Sequence, residues 1–317
     1  MRPEHKLHVL LSLITPDTDY QLEQAAIAER VAAKLGIALN VEFADGDGVY
    51  QTLQILKIIQ SEPELRPNAV IVEPAGTSMV QVAQAAMAAN IAWVILNRDA
   101  DYLGTLRSKA SVPIFGVSTD NQAVGRIQGE QMNVLTPADG CVLYLEGPSS
   151  SDTARYRTKG MLVAKRKDIG LKHLRGGWTE AGAYHAVQSW HRLGSGKGTR
   201  IDAVICQNDT MAIGARRAFE ELRDRDQRQR FLALPFTGCD GVPEKGQTYV
   251  QRGLLKATVI NPPLTGAALE MLDLAFRSNS QPPEQTLVTP KSYPPIAKLE
   301  SPSNAELKSF SATPAHK

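Results

Sequence analysis

Three stretches hold residue types that could do chemistry, and each lacks a partner its chemistry needs. GSGKGT (194–199) sets a lysine among glycines, as a phosphate loop does. A loop of the form GxxxxGK[ST] would put its first glycine at His191 and its hydroxyl at Gly198, and would follow a strand rather than a helical pattern, so the stretch reads as a flexible loop. GPSSS (147–151) is half of a nucleophile elbow, with Ser151 where the closing glycine belongs. The histidines (His5, His8, His173, His185, His191 and His316) show neither HxxxH nor HxxEH spacing, which argues against zinc. Cys141, Cys206 and Cys239 stand singly in short apolar runs and read as buried free thiols. Without a nucleophile–base pair, the chain is expected to bind rather than catalyse, and to need no metal or cofactor.

What remains is polarity at the ends of apolar runs. VILNRDAD (94–101) passes from Val94, Ile95 and Leu96 to Asn97, Arg98, Asp99 and Asp101. Other runs end in Thr15 to Tyr20, Glu73, Glu146, Asn208 with Asp209, Asp240 and Asn261. Amides, carboxylates and guanidinium groups beside aromatic rings suit a sugar, which offers hydroxyls at its ring edge and C–H groups on its faces.

The elements that must hold these groups follow a βα rhythm. LHVLLSLI (7–14) reads as a strand and LEQAAIAERVAAKLG (22–36) as a helix closed by Gly36. Strand and helix patterns alternate through AVIVEPA and IAWVILN, and the rhythm restarts at VPIFGVS (112–118). FLALPFTGC (231–239) reads as a strand, and the mixed-sign run RDRDQRQR (223–230) as a solvated helix end or loop. Near-continuous apolar strands are buried on both faces, which means parallel sheets with helices on either side. Two α/β units of about five strands each are expected. Open parallel sheets bind ligands outside the carboxyl ends of their strands. Residues 300–317, rich in Ser, Pro and Ala, read as a flexible tail.

The 317 residues carry a formal net charge of +2, which gives no footprint for nucleic acid. No apolar run reaches the 18 or so residues of a membrane span. MRPEHKLHVLLSLI mimics an export signal but is interrupted by His8, and reads better as a first strand.

Taken in order, these motifs resemble the type I periplasmic binding proteins of the ribose-binding kind, whose fold is shared by the ligand cores of lac-repressor-type regulators. The resemblance runs from about Leu7 to about Ile296. VILNR stands where the family has an Asp-Arg pair, giving Asn97 and Arg98. STDNQAVGRIQGEQM, with Asp120 and Asn121, matches the first crossover. ARYRTKGM places the family arginine at Arg157, and GGW the aromatic at Trp178. QND, GCDG and ATVINPP give Asn208, Asp240 and Asn261. TPDTDYQL replaces an Asn-x-Phe-Phe element, with Thr18 near the Asn and Tyr20 and Gln21 at the aromatic pair.

The resemblance implies two doubly wound parallel-sheet lobes, 1–118 with 262–288 and 119–261 with 289–299. They would be joined by three crossovers near 118, 261 and 289 and would close by a hinge on a ligand in the cleft between them. The implied ligand set is Thr18, Tyr20, Gln21, Asn97, Arg98, Arg157, Trp178, Asn208, Asp240 and Asn261. Asn97 in place of Asp argues against ribose itself and leaves a modified sugar, polyol or glycoside. The implied function is capture of a sugar-like solute, by a monomer, for a membrane permease of an ABC-type importer. The alternative is a ligand sensor of the same fold that regulates a partner. The location is periplasmic or cell envelope if an export signal was removed, and cytoplasmic if Met1 is the natural start.

Overall fold

A computed structural model describes residues 7–76, 79–98, 100–193 and 200–300. Asp99, the loop expected at 194–199 and the tail beyond 300 lie outside the described residues. The chain divides into two compact units, Met1–Thr119 with Pro262–Val288 and Asp120–Asn261 with Thr289–Lys317.

In unit 1 the strands are β1 His8–Leu13, β2 Ala38–Phe43, β3 Ala69–Val72, β4 Ala92–Leu96, β5 Ile114–Thr119 and β11 Gln285–Val288. They form one sheet in the order β11-β5-β4-β3-β1-β2, and every pairing is parallel. Successive side chains of a strand point to opposite faces, so both faces of this sheet are lined. Leu11, Ile71, Val94 and Phe115 pack with the helices α1 (Asp19–Leu35) and α11 (Leu264–Ser278). Leu10, Val70, Trp93 and Ile114 pack with α2 (Gly48–Ile59), α3 (Val80–Ala88) and α4 (Leu103–Arg107). Each such fully buried apolar side chain contributes about 1.5–3 kcal/mol.

Helix α1 begins before its apolar period does. The Thr18 hydroxyl accepts from the Gln21 amide and Asp19 sits in the first turn, while Gly36 at φ 72° closes the last. The five-residue α4 has no counterpart in the sequence reading, because it is too short to show a period.

In unit 2 the strands β6 (Cys141–Glu146), β7 (Gly170–Arg175), β8 (Ala203–Cys206) and β9 (Phe236–Thr237) pair in parallel in the order β7-β6-β8-β9. A separate antiparallel pair, β10 (Thr258–Ile260) with β12 (Lys291–Tyr293), is tied on by the bridges Thr237↔Ala257 and Asp240↔Ile260.

One element differs in type from its sequence reading. Residues 225–232 are a helix, α9, capped by Asp224, and only Phe236 and Thr237 of FLALPFTGC form a strand. Phe231 sits on the buried side of α9 and stacks on Phe219 with ring centroids 4.4 Å apart. The tertiary partner thus decides a run whose apolar pattern is ambiguous between helix and strand.

Two helices of unit 2 meet backbone to backbone. A Cβ on Gly160 of α6 (Asp152–Ala164) would lie 2.1 Å from the Gln122 carbonyl oxygen of α5 (Asn121–Leu135). A Cβ on Gly125 would lie 2.0 Å from the Arg157 carbonyl oxygen. No other residue fits at these two positions without moving a helix.

Candidate functional site

Each unit gathers polar groups at the carboxyl ends of its strands. In unit 1 the centre is Glu73, directly after β3 and 4% exposed. Its Oε2 accepts from Gln21 Nε2 at 2.8 Å and its Oε1 from Asn97 Nδ2 at 3.1 Å. Gln51 from α2 donates to the Glu73 carbonyl oxygen at 3.0 Å and to Ser12 Oγ at 3.0 Å. Burial pushes the Glu73 carboxyl above its ordinary range; the Gln21, Asn97 and Gln24 amides and the Arg98 charge act in the opposite sense.

Five expected ligand residues fall in this unit. Asn97 has φ 53°, a left-handed turn that Asn tolerates, and it bends the chain out of β4. Arg98 is half-buried, and its guanidinium donates to the carbonyl oxygens of Pro74 at 3.3 Å and Gly76 at 3.0 Å, pinning the segment after β3. Tyr20 is buried, and its hydroxyl accepts from Gln24 Nε2. Gln21 is engaged at both ends of its amide, since its Oε1 accepts from the Ile14 amide while its nitrogen serves Glu73. Thr18 caps α1. The structure therefore brings Gln21 and Asn97 together on Glu73, and gives Thr18 and Gln21 work inside the protein.

In unit 2 the centre is Arg157, in the second turn of α6 and 3% exposed. Its Nε donates to Asn121 Oδ1 at 3.1 Å, and a terminal nitrogen donates to the Gln207 carbonyl oxygen. Asp240 lies 3.9 Å from the guanidinium, and the Trp178 ring centroid 5.5 Å from it. A buried guanidinium is tolerated only when paired and hydrogen-bonded, and these partners do both. Arg155 and Lys159, two positions to either side on α6, line instead a cavity of about 550 Å³ with Glu146 and Arg175. That cavity is on the other side of the helix, as the 3.6-residue turn requires.

Trp178 and Asp240 both have positive φ, 71° and 106°. Among the described residues, the other non-glycine positions of this kind are all Asn or Asp, which adopt the conformation readily. A Trp held there stores strain of about 1–3 kcal/mol, a state that recurs at binding sites. Two contacts hold it. Asn208 Nδ2 donates to the Trp178 carbonyl oxygen at 3.0 Å, and Gly147 leaves room for the indole, which would lie 2.2 Å from a Cβ. Asn208 also caps α8 (Asp209–Glu220) through the Met211 amide. Asn261 is buried at the end of β10, and its backbone N–H donates to the Asp240 carbonyl oxygen.

Sequence reasoning placed three residues too lightly. Glu73 reads in the sequence only as a strand end, outside the expected ligand set, since a lone carboxylate gives no sign that amides converge on it. Gln207 joins Tyr144, Thr158, the Ala154 carbonyl and the Gly147 amide through one side chain. Asp209, buried, accepts from the Gly241 amide and the Thr258 hydroxyl. QND does announce both, but only as a strand end.

Comparison with known proteins places the chain in a family and matches its fold. The family profile described as periplasmic binding protein domain matches residues 9–276. A putative rhizopine-binding protein of Rhizobium meliloti is 28% identical over 191 residues, 58% of each chain. A D-apiose import binding protein of Actinobacillus succinogenes is 23% identical over 259 residues, 80% of this chain and 76% of that one. The chain thus spans about three-fifths of the first relative and three-quarters of the second. In structure, it is similar to an ABC transporter periplasmic solute binding protein of Actinobacillus succinogenes 130z with bound D-allose. That likeness has a TM-score of 0.76 and 23% identity, covers 90% of this chain and 97% of the other, and concerns the fold.

Proposed function

The chain belongs to the periplasmic binding protein domain family, and from that premise we propose that it captures a sugar or sugar-like polyol, with each unit contributing its strand-end set. The observation that carries this is Arg157, a guanidinium held almost fully out of water beside Asp240, Asn121 and an indole. Fork-shaped donors, a carboxylate and an aromatic face are the recognition set for vicinal hydroxyls on an apolar ring. We assign Asn97 and Arg98 to the ligand from unit 1, and Arg157, Asp240 and Trp178 from unit 2. Thr18, Gln21 and Asn208 act on the site by fixing α1, Glu73 and the Trp178 segment. The role is delivery to a membrane importer.

The test is a thermal-shift panel of D-apiose, D-allose, D-ribose, D-galactose, xylitol and myo-inositol. One member should raise Tm in proportion to the logarithm of its concentration. Arg98→Ala should remove that shift while the ligand-free Tm changes little, and Asp240→Ala should remove it together with a lower ligand-free Tm, because it takes the counter-charge from the buried Arg157. A flat panel would defeat the reading. For the delivery role, deletion of the protein should abolish uptake of the same compound by the cell. Intact uptake would leave ligand sensing as the role.

A further inference from the structure

Asn97, directly after β4, has a buried carboxylate beside it at Glu73. An amide has two unlike ends. Only its nitrogen can donate, and a carboxylate can only accept. The 3.1 Å contact from Asn97 Nδ2 to Glu73 Oε1 therefore fixes which way the Asn97 amide is turned, with nitrogen toward Glu73 and oxygen away from it. Gln21 is fixed in the same way, by its nitrogen on Glu73 and its oxygen on the Ile14 amide. Resting on the proposed function, we infer that Glu73 is a positioning residue that sets the hydrogen-bonding polarity of the unit 1 ligand set, so that Asn97 meets a ligand hydroxyl with its carbonyl oxygen.

The arrangement has a built-in condition. It requires Glu73 to be ionised. A protonated Glu73 carries an O–H that must donate, and the amides around it supply nitrogens where an acceptor is then needed. One amide has to turn over, and if it is Asn97, the oxygen goes to Glu73 and the nitrogen to the ligand. Burial disfavours the charged form of Glu73, and the charge facing it is Arg98, on the segment after β4. From α1 it meets Gln21, Gln24 and, through Gln24, the Tyr20 hydroxyl; from α2 it meets Gln51. The other groups named here are neutral. Ligand affinity should thus fall as the pH drops toward the ordinary glutamate value of 4.5, starting above it.

Two measurements on the intact chain test this. The first is calorimetric titration with whichever of D-allose, D-apiose, xylitol or myo-inositol raises Tm, at pH 8, 7, 6 and 5. For the unaltered protein affinity should fall at least tenfold across the range. Glu73→Gln, of nearly the same shape, should bind at least tenfold more weakly at pH 8 and show a flatter pH profile. Equal pH profiles in the two proteins, or equal affinities at pH 8, would overturn the inference. The second needs no ligand. The Asn97 side-chain amide signal in a ¹⁵N spectrum, identified by its loss in Asn97→Asp, should move with pH through the Glu73 titration. A static signal overturns the inference even if a sugar binds. A flat sugar panel with a moving signal would defeat the proposed function and leave the Glu73–Asn97 coupling standing.

Discussion

Glu73 and Arg157 occupy comparable places, each just beyond a sheet's carboxyl edge and each almost fully buried, but their partners differ in kind. Amides dominate the first and leave its charge only partly answered, by Arg98 at a distance. The second has a carboxylate, an indole and two oxygen acceptors. A buried charge with a counter-charge is a fixture, costly to remove. A buried charge among amides is a proton binder, and its cost depends on pH. The difference makes the unit 2 cluster a fixed one and the unit 1 cluster one that answers to pH.

The strongest challenge to this contrast is Arg157→Met. It takes the guanidinium away from Asp240 and the Asn121 oxygen, and should lower the unfolding free energy in urea by about 3 kcal/mol and abolish ligand binding. A loss under about 1 kcal/mol would show that the cation is not a fixture. Next is Gly160→Ala, whose methyl must push α5 away from α6. It should cost about 1–3 kcal/mol and weaken binding by displacing Arg157 from Asn121. Trp178→Ala should leave stability within about 1 kcal/mol but reduce affinity about tenfold, which is about 1.4 kcal/mol of binding. An unchanged affinity would remove the indole from the site.

The contrast can be sharpened by stability against pH. The Glu73 carboxyl is raised in the folded state, so the native protein holds this proton more tightly than the unfolded chain does. The stabilisation it gives is complete below the unfolded value and is lost as pH rises through the folded one. Relative to Glu73→Gln, the unaltered protein should therefore lose stability as pH climbs above about 4.5, the ordinary value. The opposite slope would mean that the amides outweigh burial. The smallest effect concerns thiols. Burial raises the thiols of Cys206 and Cys239 and, less completely, that of Cys141. Native alkylation should reach Cys141 first, and the other two only on unfolding.

Much of this was legible from residue order alone. The apolar runs at 7–14 and 94–96 gave strands because burial on both faces leaves no polar alternation to confuse with another pattern. Arg157 and Asp240 could be named from ARYRTKGM and GCDG, but not paired, since 83 positions separate them and only the sheet order brings them within 3.9 Å. The end of helix α9 is hidden in the sequence because Phe231 and Leu232 look like the start of an apolar strand, while the buried face of Phe231 is set by Phe219. Trp178 could be read as an aromatic but not as a strained one. Its positive φ depends on Asn208 and on the missing side chain of Gly147, both distant in sequence.

The glycine contact between α5 and α6 limits how this part of the chain can change over evolutionary time. A helix seated on side chains can drift by small steps as those side chains are exchanged. Here Gly125 and Gly160 rest directly on carbonyl oxygens of the opposite helix, so there is nothing to trim and no room to add. Arg157 is in effect surveyed into place from two fixed points. Substitution can alter the residues around Arg157 one at a time, but not the helix spacing that holds it.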